Sequence, residues 1–206
     1  DAIIDIKIDK GIPSDYAIEL NCLSLARYAK IVQDFGLVPI VEPEVLMDGC
    51  HNIEECFEIT HKTQTKLFEK LKSNKVYLNG ILLKPNMIIS GKKSADQASI
   101  SKVASMTIKC LKECVPNEVP GIVFLSGGQS NELATQHLNE MNKSFKDLPW
   151  NLSFSYGRAL QQPSLSSWKG EDKKVSDSQS ELFKRSKLNS SATLGKYTED
   201  LEQIKI

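Results

Sequence analysis

Continuous apolar runs alternate with segments whose apolar residues recur at helical spacing, and this alternation constrains the fold of the 206-residue chain more than any other feature. Leu37-Val38-Pro39-Ile40-Val41, Ile81-Leu82-Leu83 and Ile122-Val123-Phe124-Leu125 are apolar throughout, and Trp150-Asn151-Leu152-Ser153-Phe154 reads as a fourth interior strand. A strand that is apolar on both faces needs cover on both, as in a parallel sheet flanked by helices. Residues 2–8 alternate apolar and polar from Ile4 and read as a further strand or edge piece. Between these runs the spacing predicts helices over 14–35, 52–73, 99–114 and 130–141, then a helical stretch over 159–194 with a polar break near Gly170. Ser14 and Ser130 are placed to cap, and Gly36 to terminate. From Gly195 on, the polar chain is expected to be mobile.

Each interior run ends in groups that carry chemistry. Pro85 has no N–H for a ladder, so the strand 81–83 should stop at Lys84. Lys84 is then either a snorkelling lysine with its head in water or a half-desolvated amine. Desolvation disfavours an ammonium, and a neutral amine there is suited to Schiff-base formation with a carbonyl substrate. Glu42 and Glu44 flank Pro43 and are expected to close the second strand, with both side chains on one face. They form either a solvated turn or a pair in which one carboxyl has a raised pKa and serves as general acid and base. Ser126-Gly127-Gly128 lies between a strand and a helix, as a tight turn or as a cradle whose N–H groups hold a phosphate. Gly157-Arg158 follows the next strand; its arginine is either in a surface ion pair or a fork for phosphate.

The strand-end groups Glu42, Lys84, Ser126 and Arg158 recur at intervals suited to one βα unit each. The dinucleotide fingerprint G-x-G-x-x-G of doubly wound sheets is missing from the sequence. Reactive groups at the carboxyl ends of several strands are the pattern of a (β/α)8 TIM barrel. The fold expected is therefore α/β, with this chain supplying the last four to five βα units of such a barrel. Residues 1–195 make up the partial barrel and 196–206 a C-terminal tail.

Acidic and basic residues balance at 26 each, so no large field points to nucleic acid or an anionic membrane. No run is long enough to span a bilayer, and the first ten residues lack signal-peptide character. The five cysteines, Cys22, Cys50, Cys56, Cys110 and Cys114, include no C-x-x-C pair and read as free thiols in a reducing cytoplasm. Cys110 and Cys114 are one helical turn apart, on one buried face. His51, His61 and His137 show no metal-ligand spacing and are expected at surface helix positions. Neither metal nor cofactor is expected.

The four strand ends together resemble class I fructose-1,6-bisphosphate aldolases. The segments that carry the resemblance are Val38-Pro39-Ile40-Val41-Glu42-Pro43-Glu44, Leu82-Leu83-Lys84-Pro85-Asn86-Met87, Phe124-Leu125-Ser126-Gly127-Gly128-Gln129-Ser130 and Phe154-Ser155-Tyr156-Gly157-Arg158-Ala159-Leu160. They occur in the family's order and near its spacing. Leu25-Ala26-Arg27-Tyr28-Ala29 and Gly195-Lys196-Tyr197 fit it as well. The resemblance implies that Lys84 is the Schiff-base lysine. It makes Glu42 the acid and base for carbinolamine dehydration and for the C4 hydroxyl proton, and Glu44 a holder of the charge network. Ser126, Gly127, Gly157 and Arg158 correspond to the site for the C1 phosphate, and Ser155 lies beside the ketose carbonyl. The resemblance further implies a phosphorylated sugar substrate, a tetrameric homo-oligomer, and binding to actin or to the acidic tails of membrane adhesins.

That family's barrel has eight strands, and the resemblance places its N-terminal half outside these residues. With that half go an aspartate, a lysine and a Lys-Trp-Arg segment; Asp1 falls about where the arginine belongs. The family's C-terminal tyrosine has no counterpart in Gln203-Ile204-Lys205-Ile206. Half a barrel has two open sheet edges, so these residues alone are not expected to act as a closed, active monomer. Two functional readings follow, a lyase of glycolysis and gluconeogenesis or a truncated, non-catalytic aldolase-like binding module. A transaldolase-type barrel would leave the Ser126 and Arg158 segments unexplained together.

Overall fold

The computed structural model describes residues 2–203. The expectations placed on Asp1 and on the last three residues, Ile204, Lys205 and Ile206, lie outside the described residues. Five strands, β1 (Ala2–Ile6), β2 (Ile40–Val45), β3 (Leu82–Leu83), β4 (Gly121–Phe124) and β5 (Asn151–Phe154), form one sheet in sequence order. All four pairings are parallel. Helices α1 (Asp15–Asp34), α2 (Ile53–Ser73), α3 (Ile100–Cys114), α4 (Asn131–Ser144), α5 (Arg158–Trp168) and α6 (Val175–Thr193) fill the connections and follow β5. A doubly wound sheet reverses its strand order at a switch point; this one never does. Right-handed crossovers between successive neighbours put their helices on one face, and α1 packs on α2, α2 on α3, α3 on α4 and α4 on α6. The result is an arc of a TIM-type barrel with one helical face and one concave face.

Local chemistry sets the helix starts. Ser14, Ser99 and Ser130 each accept a backbone N–H of the first turn. Asn52 and Glu55 form a reciprocal capping box at the start of α2. The two strand faces sort by alternation. Val41, Leu83, Ile122 and Leu152 are buried in the helix-side core with Leu25, Leu67, Leu71, Ile108, Leu111 and Leu138. The opposite parity carries Asp5, Glu42, Glu44 and Lys84.

The second strand differs from the expected one. Leu37 and Val38 are exposed, and β2 begins at Ile40 and continues through Glu42-Pro43-Glu44 to Val45. A proline is normally excluded from an interior strand. It is accepted here because β2 pairs with β3 only at Ile40 and Val41. Beyond Lys84, whose N–H donates to Val41 O at 2.8 Å, the chain leaves β2 at Pro85. Asn86 then replaces the ladder: its Oδ1 accepts Val45 N–H at 3.0 Å, and its Nδ2 donates to Thr60 Oγ1 and Met87 O.

Two histidines also differ from the surface-helix expectation. His51, in the β2–α2 loop, and His137, on α4, are buried. His137 falls within the inward stripe of Ala134, Leu138 and Met141, and Gly49 and Gly91 close around His51. The thiols of all five cysteines are free.

The polar segment after Gly195 is largely exposed but is anchored at Tyr197 and Glu202. Tyr197 is buried and its N–H donates to Asn139 Oδ1 at 2.9 Å. Glu202 accepts from both Tyr197 Oη and Arg185. Arg185, 3% exposed, also donates to Asn131 O and Thr135 Oγ1 on α4. Composition marked this segment as polar, but a buried guanidinium needs a carboxylate, and Glu202 supplies it. Replacing Glu202 by Ala should lower stability by about 3 kcal/mol, because it leaves the buried charge without that partner. Urea unfolding of the intact protein measures this; an unchanged midpoint would show the clamp to be idle.

Candidate active site at the strand ends

The gap opened between β2 and β3 is where the sequence-predicted acid and base meet. Lys84 Nζ lies 3.1 Å from Glu42 Oε2, with side chains 14% and 7% exposed. Burial pushes the Glu42 carboxyl above its usual range, and the Lys84 ammonium pulls it back only in part. Glu44 is also pushed up, first by burial and then by Asp5, with Arg158 and Lys84 opposing. A carboxyl whose pKa is raised by burial, within hydrogen-bond distance of an amine, is suited to take and return a proton there. Glu42 and Glu44 are therefore not the solvated turn that their sequence left open.

The glycine loop faces this pair from β4. Gly127 and Gly128 have φ of 59° and 80°, left-handed values that side-chain-bearing residues rarely adopt. They curl the chain between Ser126, which is buried, and the N-terminus of α4. Arg158 opens α5 and reaches over this loop: its Nη2 lies 3.4 Å from where a side chain on Gly128 would begin. Ser155 is the first residue past β5, anchored by its N–H to Phe124 O at 2.8 Å. Gly157 precedes Arg158 at φ −84° and ψ −90°, outside the helical range, with open space where a side chain would begin. The structure thus brings together Glu42, Glu44, Lys84, Ser126, Gly127, Ser155 and Arg158 at one end of the sheet, with Gly157 beside them.

Three groups were missed. Asp5 stands level with Glu44 across the β1–β2 pairing; the alternation of residues 4–8 carried that signal, and no motif did. The other two form a brace. His137 Nδ1–H donates to Gln129 Oε1 at 2.6 Å, and Gln129 Nε2 donates to Ser126 O at 3.0 Å. Gln129 directly follows the Ser126-Gly127-Gly128 turn, but only the fold brings His137 to it.

A family model described as fructose-bisphosphate aldolase class-I matches residues 4–205. This chain belongs to the class-I fructose-bisphosphate aldolase family. It is 51% identical over 193 residues to a probable fructose-bisphosphate aldolase class 1 of Xanthomonas axonopodis pv. citri, covering 93% of this chain and 58% of that protein. It is 46% identical over 197 residues to the cytosolic fructose-bisphosphate aldolase 4 of Arabidopsis thaliana, covering 96% and 50%. A crystal structure of the Plasmodium falciparum aldolase, in complex with TRAP and a small-molecule inhibitor, superposes with a TM-score of 0.93. It shares 44% identity and is covered for 57% of its length, against 96% of this chain. The chain thus spans between half and three fifths of the length of these aldolases. Among the described residues no helix is long and apolar enough to cross a membrane.

The aldolase glycine loop rests on a neutral imidazole. Burial holds His137 down to about 4, so the folded state keeps it uncharged where an unfolded chain would protonate it near 6.5. The stabilisation is complete above pH 6.5 and is lost as pH falls towards 4. Its full loss amounts to about 3 kcal/mol. A His137→Asn protein should lose that share of its acid sensitivity, measured by denaturant unfolding at pH 7.5 and pH 4.5. An identical pH dependence in both proteins would remove His137 from the account.

Proposed function

We propose that the protein is a Schiff-base aldolase that cleaves fructose 1,6-bisphosphate to dihydroxyacetone phosphate and glyceraldehyde 3-phosphate in glycolysis and gluconeogenesis. The observation that carries this reading is the buried Lys84–Glu42 pair at 3.1 Å, facing a glycine loop and Arg158. In this reading the Lys84 amine attacks the ketone carbon, a C–N bond forms, and the carbonyl oxygen takes a proton. Glu42 donates a proton as that oxygen leaves as water, which produces the protonated imine. The imine draws the electron pair of the C3–C4 bond as it breaks, while Glu42 accepts the proton of the C4 hydroxyl and the aldehyde departs. The enamine is then protonated at C3 and hydrolysed, which returns the Lys84 amine. Glu44 and Asp5 hold the negative field around Lys84. Ser126, Gly127, Gly157 and Arg158 bind the C1 phosphate, and Ser155 orients the ketose.

Residues 1–195 carry this chemistry as part of a barrel, and 196–206 form its C-terminal tail. The family resemblance extends the proposal to a cytoplasmic homotetramer and to binding of actin or adhesin tails. The Arabidopsis relative's name, cytosolic, supports the compartment. The Plasmodium complex with TRAP supports a protein-binding role.

Borohydride reduction in the presence of dihydroxyacetone phosphate, followed by peptide mass mapping, tests the reading. A reduced adduct on Lys84 is expected, and none in Lys84→Arg. In the intact protein Glu42→Gln should lower kcat by about 10²–10⁴-fold, the usual share of a general acid–base group. Folded protein that gives no adduct would sink the Schiff-base reading and leave a non-catalytic, aldolase-like binding module.

A further inference from the structure

We infer that Lys92 is a further cation of the phosphate site, held over the glycine loop opposite Arg158, and that it selects phosphorylated ligands over neutral ones. The inference deepens the proposed function and rests on its reading of that loop. No motif singled Lys92 out; the loop that carries it places it there. Three consecutive backbone N–H groups, those of Gly91, Lys92 and Lys93, donate to His51 O, Met47 O and Gly49 O at 2.8–2.9 Å. The β3–α3 loop is thereby laced to the β2–α2 loop. The fit requires glycine at position 91, where a Cβ would lie 2.5 Å from Gly49 O.

This lacing aims the Lys92 side chain at the β4–α4 loop. Its Nζ lies 2.8 Å from where a side chain on Gly128 would begin, and Arg158 Nη2 lies 3.4 Å from the same point. Two cations from different loops therefore converge above a left-handed glycine that has no side chain to keep them away. Like charges brought together in this way repel each other, and a phosphate monoester, with a charge of about −1.5 to −2 at neutral pH, is matched to them. Arg158 offers a fork of donors and Lys92 a mobile point charge. The carboxylate that holds Lys92 meanwhile is Asp48, at 3.1 Å. That pair is on the rim, 39% and 62% exposed, where an ion pair contributes little and is readily exchanged for a better anion. Asp48 thus holds the ammonium over the glycine loop, and a phosphate there would take over its charge from that rim carboxylate.

The test uses the intact protein and two probes. Inorganic phosphate binding, measured by calorimetry, should weaken at least tenfold in Lys92→Met and stay within about threefold of wild type in Lys92→Arg. Borohydride trapping at Lys84 should need a correspondingly higher concentration of dihydroxyacetone phosphate in Lys92→Met, with trapping of uncharged dihydroxyacetone unchanged. Equal phosphate affinity in Lys92→Met and wild type would overturn the inference. So would equal weakening with dihydroxyacetone and its phosphate, the signature of a merely structural lysine. Wild-type protein that binds no phosphate also overturns it. If phosphate binds through Lys92 but no adduct forms on Lys84, the aldolase reading falls and the anion site stands.

Discussion

The departure of β3 from β2 at Pro85 is the constraint on which the site depends. A parallel ladder that continued past Lys84 would keep the two strands closed and their side chains evenly spaced. Pro85 ends the ladder by removing a donor. Asn86 satisfies Val45 N–H in its place, so the opened strand end leaves no orphaned backbone group at that point. Into the opening project one amine and one carboxylate, buried against each other. Such a pair contributes little net stability once desolvation is counted. At 3.1 Å and largely out of water, the two groups stand where the proposed proton transfer requires them.

The fold was largely legible because strand and helix periods differ, and the chain switches cleanly between them. The common position of Lys84, Glu42, Glu44, Ser126 and Arg158 at one rim was legible for the same reason: parallel strands deliver their carboxyl ends to one side. Legibility failed where pairing decided the outcome. Pro43 looked like a strand end and proved to be inside β2, because β3 is too short to demand its N–H. His51 and His137 looked like surface residues, and close backbone approach and the inward face of α4 bury them. Asp5 and Lys92 carry no motif at all. One is placed by strand register, the other by three hydrogen bonds between loops.

The rim is therefore assembled mainly by backbone rather than by side-chain packing. Loops from β2, β3, β4 and β5 meet there, and glycines set two of the approaches: Gly91 against Gly49, and Gly128 beneath the cations. Backbone contacts of this kind are preorganised, so little reorganisation is left for the moment of binding. The electrostatics follow the same plan, with acids on the β1–β2 side and cations on the β3–β5 side. A ligand with a ketone and a phosphate has two ends that fit this polarity.

Arg185 gives the C-terminal segment a role that its composition does not advertise. The guanidinium holds Glu202 on one side and the first residue of α4, Asn131, on the other. Lifting the segment would strand a buried cation at the foot of the helix whose opposite neighbour is the glycine loop. At about 3 kcal/mol the lifted form would be populated less than roughly one per cent of the time. The tail is thus pinned to the start of α4 through one shared guanidinium.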